Sequence, residues 1–424
     1  MNGLLRMAEA RTTARTAPAL HPASAAGEWR KGWPLALAGA GGLFTAVLYV
    51  YSTGLFIEPL GKAFGWTRTD ITIGMMIVGL VAVAGNPLVG MVIDRTRPGL
   101  VALIGVLAYA TALAGLGSTG PDLGSWIIGW ILVALASLAI SVPVWLVAIA
   151  RAFTRSRGLA LAVGYCGSSV AAMTIPYATA QAIDAFGWSG AYRMLGGLAL
   201  VVGGLSALTL LRLAPRREDS AAPAEREPGR RGGRAMLRSF RFWRIAAMSM
   251  IVTLGVIALT VHYVPIAMDH GLSRARASGL AGIIGVAGIV GRLGTGALLD
   301  RFAGTIIGAL LFAVPTITCL LVAVFGGGGA ALGFLAVAIG LTLGSELDLM
   351  AYMTARYFGL AHYGLLFGVL TGLVGCGAGF GPVAASLLRD ITGNYDILLL
   401  ILSGAFAVSA VLVGSLGPYP DNEA

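Results

Sequence analysis

Along this chain, runs of twenty or more apolar residues alternate with short gaps that hold nearly all of the charge. Six such runs cover about 34–57, 71–93, 99–119, 124–149, 158–183 and 190–211. A polar stretch follows, and six more runs cover about 245–268, 277–299, 304–325, 330–354, 364–388 and 396–416. About twenty apolar residues in a helix cross the hydrocarbon core of a bilayer. These runs are too long for barrel strands and lack their period of two, so each is predicted to be a transmembrane helix. The expected fold class is an all-α membrane protein of twelve transmembrane helices in two six-helix bundles. The expected organisation is a cytoplasmic tail at 1–33, a first bundle at 34–211, a linker at 212–243, a second bundle at 244–416 and a short tail at 417–424. The linker is rich in Arg, Pro, Gly and Ala and has no apolar face. That predicts a mostly disordered connector with a short interfacial helix at 236–243.

Composition agrees with a bilayer as the solvent. Of 424 residues, 57% are hydrophobic and 11% are charged, whereas soluble domains carry about 25% charged residues. The net charge of +10 does not point to nucleic acid, because the Lys and Arg residues are not interleaved with aromatics. They follow sides of a membrane instead. Five lie in 1–33 and ten between Arg212 and Arg244, with Arg95, Arg97, Arg151, Arg155, Arg157, Arg301 and Arg356 in gaps on the same side. The other side holds Lys62, Arg68, Arg193, Arg274, Arg276 and Arg389. The positive-inside rule then predicts both termini and the linker in the cytoplasm. The Arg-rich start lacks the apolar core of a signal peptide. Cys166, Cys319 and Cys376 are far apart and predict neither a disulfide nor a metal site. The four histidines have no paired spacing, so no metal or other cofactor is expected.

The two sets of six runs match at a shift of 206 residues. Pro59, Gly65, Thr67 and Arg68 align with Pro265, Gly271, Ser273 and Arg274; Gly79 and Gly85 align with Gly285 and Gly291. Pro176, Asp184 and Gly187 align with Pro382, Asp390 and Gly393. A parallel repeat of this kind predicts a pseudo-twofold axis along the membrane normal and a binding site between the halves. The segment Gly90-Met-Val-Ile-Asp94-Arg95-Thr-Arg97 between runs two and three resembles the loop signature of the major facilitator superfamily. Gly296-Ala-Leu-Leu-Asp300-Arg301 resembles its second copy. The resemblance extends from about Trp33 to Gly417. It implies that Gly90, Asp94, Arg95, Arg97, Gly296, Asp300 and Arg301, with Arg151 and Arg356, form a conformational latch at the charge-rich end.

Three further segments are similar to the monocarboxylate transporter and oxalate/formate antiporter families. They are Tyr51 to Leu60 followed by Phe64-Gly65-Trp66-Thr67-Arg68, then Arg157-Gly158-Leu-Ala-Leu-Ala, and Ala355-Arg356-Tyr357-Phe358-Gly359. The resemblance implies an organic anion as substrate and places Arg292 where those families keep a carboxylate-binding arginine in span eight. The residues themselves support attention to this position. An ionisable group within a membrane marks function by default. Arg292 stands about 12 Å from the end of its helix at 1.5 Å per residue, with Glu346 and Asp348 at similar depth in span ten. Their first-half counterparts are the neutral Asn86 and roughly Ser141. A planar guanidinium suits a carboxylate; a structural pair of Arg292 with Glu346 or Asp348 is the other reading of the same residues. The families' span-eight Asp, four residues before the arginine, is Gly288 here. Their span-one and span-eleven lysines are absent too, which leaves Glu346 or Asp348 as candidates to carry a proton as a coupled unit with Arg292.

The expected substrate site is Arg292, Asn86, Tyr51, Tyr263 and Tyr352, with Tyr49, Trp145 and Tyr165 as further cavity aromatics. Glu346, Asp348 and His262 are the candidate coupling groups, although a neutral, hydrogen-bonded packing role is the plainer reading of His262. The expected function is secondary transport of a small organic anion, most simply a monocarboxylate, by alternating access, with protons as candidate partner ion. A carrier that exports drugs or other lipophilic compounds is the alternative. A membrane enzyme would need an interfacial His/Asp/Glu cluster and a sensor a long folded cytoplasmic domain; neither pattern occurs. A monomer in the lipid bilayer is expected, without nucleic acid. The Ala, Gly and Arg excess suggests a bacterial inner membrane.

Overall fold

The computed structural model describes residues 25–153, 156–213, 236–299, 301–359 and 363–419. Among them the chain is helical without strands, as a bilayer demands of backbone polar groups. Span one is Ala25–Ala46 and Leu48–Phe64, jogged at Val47. Span two is Arg68–Arg95, span three Pro98–Gly115, and span four Leu123–Leu138 with Val142–Ala152. Spans five and six share Arg157–Leu198, which continues through a π turn at Ala199–Gly203 into Gly204–Leu213. Spans seven to twelve are Phe240–Asp269, Arg274–Leu299, Gly304–Phe325, Gly329–Phe358, Tyr363–Thr392 and Asp396–Gly414.

Among the described residues eleven helical stretches are long and apolar enough to cross a membrane, and one of them runs 56 residues from Gly158 to Leu213. At 1.5 Å per residue that stretch is about 84 Å long, nearly three hydrocarbon thicknesses. It turns back at Gly187, whose φ of 68° and ψ of 175° belong to a region only glycine occupies freely. The twelve predicted spans are therefore present, with a single residue serving as the bend between five and six. Span four departs from the expected unbroken run. It pauses at 139–141, where Ser141 is extended and Pro143 lacks the N–H that would continue the helix. The expected short helix at 236–243 is a turn at its start; the helix proper begins at Phe240 after Ser239.

Helix starts are written in the sequence. Thr67 caps span two by accepting from the Asp70 N–H while the Asp70 carboxylate accepts from the Thr67 N–H. Its repeat partner Ser273 accepts from Arg276 N in span eight. The halves meet where spans two and eleven cross, where spans five and eight cross, and where span one meets span seven. The first two crossings exchange under the repeat, as a pseudo-twofold axis requires. A β-carbon on Gly79 would lie 2.7 Å from the Gly379 α-carbon, and one on its repeat partner Gly285 would overlap the Ser169 carbonyl. Small residues at both crossings let backbones touch, which is how helices associate in lipid. Large apolar side chains such as Phe325, Leu310 and Val411 are exposed around the perimeter, where acyl chains would cover them. Inside the first half an aromatic stack runs from Phe56 on Tyr192, at 3.8 Å between centroids, to Trp126, Trp130 and Trp66.

Candidate functional site

Arg292 leaves span eight toward the seam between the halves. Its guanidinium carbon lies 4.5 Å over the ring of Tyr165, which belongs to span five of the other half. Stacking of this kind holds a guanidinium by its face and leaves its edge for hydrogen bonds. On that edge, Nη1 is 3.4 Å from Asp348 Oδ1, longer than the 2.7–2.9 Å of a firm charge-assisted bond. Nε is buried and has no hydrogen-bond partner. A buried donor without a partner is costly, so this edge of Arg292 is prepared for an acceptor.

Glu346 and Asp348 are two residues apart, so a 100° step per residue turns them about 200° from each other on span ten. The structure divides them accordingly. Asp348 faces Arg292 and is 36% exposed on its side chain. Glu346 is buried and accepts from Thr253 Oγ1 of span seven at 3.3 Å. Tyr51 of span one is buried close enough to feel the charges of both Arg292 and Glu346. Arg292, Asp348, Glu346, Thr253, Tyr51 and Tyr165 thus form one cluster drawn from both halves. Nearby, a β-carbon on Gly344 would overlap the Gly288 carbonyl and lie 3.0 Å from the Gly288 α-carbon. Spans eight and ten are pressed together there, while a β-carbon on Gly288 itself would point across the seam and lie 3.2 Å from Ser169 Oγ of span five.

Other expected members stand elsewhere, which corrects the grouping read from sequence. Asn86 lines a crevice of about 530 Å³ between spans two and eleven, with Val83, Thr371 and Gly372. Tyr263 is buried and donates its hydroxyl to the Leu332 carbonyl of span ten at 2.8 Å, inside the second half. Tyr352 packs near Tyr419 at the charge-rich end. Its span carries Arg356, whose guanidinium covers the Tyr419 ring at 4.9 Å. His262 lies nine residues beyond Thr253 on span seven, roughly 13 Å further along the helix. Of the expected latch, Arg97, Gly296, Arg301 and Arg356 are exposed; Asp300 and the side chains of Gly90, Asp94, Arg95 and Arg151 lie outside what is described.

The opposite end is closed by polar contacts between the halves. Arg274 donates to Glu58 at 2.7 Å and to Asp184 at 3.0 Å. Thr69 donates to Asp390 through its N–H and its hydroxyl. Arg274 and Asp184 are the repeat partners of Arg68 and Asp390, so two quasi-equivalent contacts flank the axis. Arg68 itself donates to the Tyr395 hydroxyl at 3.0 Å, and Arg389 pairs with Asp269 at 2.9 Å. Burial pushes the Tyr395 phenol above its ordinary range, so it keeps its proton. His262 is enclosed by Tyr395, Pro382 and Ser386. Sequence reasoning missed this gate and Thr253. The repeat alignment of Arg68 with Arg274 and of Asp184 with Asp390 was the available signal for the gate.

Among the described residues no three metal-ligating side chains stand together. A family model described as Major Facilitator Superfamily matches residues 37–347. Human "Monocarboxylate transporter 11" is 29% identical over 408 residues, covering 88% of this chain and 82% of its own. Rat "Monocarboxylate transporter 2" is 23% identical over 426 residues, covering 95% of this chain and 86% of its own. Among solved structures, a variant of the nucleoside transporter NupG is 13% identical and superposes with a TM-score of 0.72 over 91% of this chain and 100% of its own.

Proposed function

The chain belongs to the major facilitator superfamily, and from that premise we propose that it carries a small organic monoanion, a monocarboxylate in the first instance, by alternating access and together with a proton. The observation that carries this reading is the state of Arg292. It is stacked on Tyr165 of the opposite half, loosely tied to Asp348, and leaves a buried Nε without an acceptor. A carboxylate would take that edge in a bidentate fork, touching one half through Arg292 while Tyr165 belongs to the other. The kinship with monocarboxylate transporters supports the substrate class.

Charge bookkeeping supports the proton. Arg292 is one cation beside two carboxylates, Glu346 and Asp348. Adding a monoanion to that set deepens an uncompensated negative charge in a low-dielectric place, where charges are expensive. A proton on Glu346 restores the balance. With glycine at position 288 and buried Glu346 in the central cluster, we assign the coupling carboxylate to span ten. We place the charge-rich end in the cytoplasm, on the asymmetry of Lys and Arg, and the carrier in a bacterial inner membrane as a monomer.

The test is uptake of a labelled monocarboxylate panel into proteoliposomes, with and without an inward proton gradient. Wild type should concentrate at least one acid, Arg292→Ala should not, and Glu346→Gln should still exchange acid but no longer respond to the gradient. Folded Arg292→Ala protein that concentrates acid as wild type does would defeat the carboxylate reading. The crevice beside Asn86, walled by Ala82, Val83, Leu365 and Gly residues, favours lipophile export as the second reading; movement of a lipophilic probe but of no acid would select it.

A further inference from the structure

His262 belongs to no part of the central cluster, yet its surroundings are fully specified. Its Nε2 lies 3.0 Å from the Pro382 carbonyl oxygen and 3.2 Å from Ser386 Oγ. A carbonyl only accepts, so Nε2 carries the hydrogen. Nδ1 is then a bare acceptor, and it lies 2.8 Å from the Tyr395 hydroxyl. That hydroxyl in turn accepts from Arg68 Nη1 at 3.0 Å. The bonds form one directed chain: Arg68 donates to Tyr395, Tyr395 donates to His262, and His262 donates to Pro382. It joins span two of the first half to spans seven and eleven of the second, beside the Thr69–Asp390 contact. Thr72 of span two extends it sideways by donating to Ser386 at 2.8 Å.

We infer that His262 is a proton site of this gate: its neutral form completes the chain that holds the halves together, and its protonated form breaks it. A second hydrogen on Nδ1 would face the Tyr395 oxygen, which already accepts from Arg68. The phenolic hydrogen would then lose its acceptor. The new charge would also join Arg68 and Arg389, whose guanidinium carbons lie 5.5 and 5.4 Å from the Tyr395 ring centroid. Of the acids of the region, Asp269 is paired with Arg389, and Glu58 and Asp184 with Arg274, while Asp390 accepts from Thr69, which carries no charge to offset it. His262 is fully buried in the closed arrangement, so a proton reaches it only when the halves part. By linkage, a ligand that binds the open form better shifts the population toward it. Acid therefore opens this end, and His262 must release its proton before the end can close.

The experiment uses the full chain in detergent with Cys166→Ala, Cys319→Ala and Cys376→Ala. Spin labels are placed on Ala63→Cys and Ala275→Cys, exposed positions flanking the gate in opposite halves. Pulsed electron-spin distances are read between pH 8 and pH 5. The expected result is a long-distance population that grows about tenfold relative to the short one on acidification, the worth of one buried hydrogen bond. His262→Asn keeps an acceptor for Tyr395 and cannot take the proton, so it should stay short at both pH values. Tyr395→Phe should be long already at pH 8 and respond little to acid, and it decides the matter if the Asn variant does not fold. An unchanged acid response in either variant, no response in wild type, or loss of the response in Glu346→Gln while His262→Asn keeps it would overturn the inference.

Discussion

Gly54 and Gly167 offer a paired perturbation that separates gating from folding. A methyl on Gly54 would overlap the Val261 carbonyl oxygen and lie 3.0 Å from its carbon, both backbone atoms of the opposite half. Comfortable carbon–carbon contact begins near 3.5–4.0 Å, so spans one and seven must part by about 1 Å or more. A methyl on Gly167 would overlap the Ala40 carbonyl and lie 2.8 Å from the Ala40 α-carbon, but there both helices belong to the first half. Overpacking of this kind costs about 1–3 kcal/mol. For Gly54→Ala the cost falls on the closed conformer alone, because opening relieves the contact. A bias of that size changes the open-to-closed ratio by about 5- to 150-fold. For Gly167→Ala no transport conformer relieves it, and the loss falls on the folded state. The assay is the label pair at positions 63 and 275 at pH 8, with thermal unfolding in detergent beside it. Gly54→Ala should lengthen the distance with little change in melting temperature; Gly167→Ala should do the reverse. Equal melting losses in the two variants, or an unchanged distance in Gly54→Ala, would refute the assignment of the span one–seven contact to a moving interface.

Further expectations can be checked with the same preparations. Gly187→Ala forces a side chain into a conformation that costs about 1–3 kcal/mol; it should lower thermal stability while surviving protein keeps wild-type affinity. Arg292→Lys retains charge but loses the planar fork and the stack on Tyr165; acid uptake should fall about 10- to 100-fold in kcat/KM, and wild-type rates would contradict the fork. Arg274→Ala removes the pairs with Glu58 and Asp184 and Asp184→Asn only the second, each exposed pair being worth about 0.2–1 kcal/mol. Each should open the gate a few-fold at most, and their combination no further than the larger single effect.

The twelve spans were readable because lipid leaves the chain so little choice: a long apolar run must be a helix. Thr67 and Ser273 also announced where spans two and eight begin. The pause in span four was hidden because Ser141 and Pro143 sit inside an apolar run whose average gives no sign of them. The seam between five and six reads as a loop from Asp184 to Ser189, and only the backbone angle at Gly187 reduces it to one residue. Charges in the membrane pointed to Arg292, Glu346 and Asp348 on cost alone. Their spacing requires that the two carboxylates diverge, yet which one meets Arg292 depends on how span ten is rotated against span eight. That rotation is set by contacts such as Gly288 on Gly344, between residues 56 apart in sequence. Adjacent His262 and Tyr263 show the same limit: one faces span eleven and the other span ten.

The aromatic stack of the first half has a consequence for anyone observing this protein by light. Trp243, on span seven, is the one of the eight tryptophans that follows the first bundle. Trp66, Trp126 and Trp130 form a chain with 5.4 and 5.8 Å between centroids, close enough for excitation to pass along it. Intrinsic emission is therefore dominated by one half, and it reports motion of the other only where that half touches the chain's edge. The second half is nearly dark, so a single tryptophan placed there would be read against a fixed internal background.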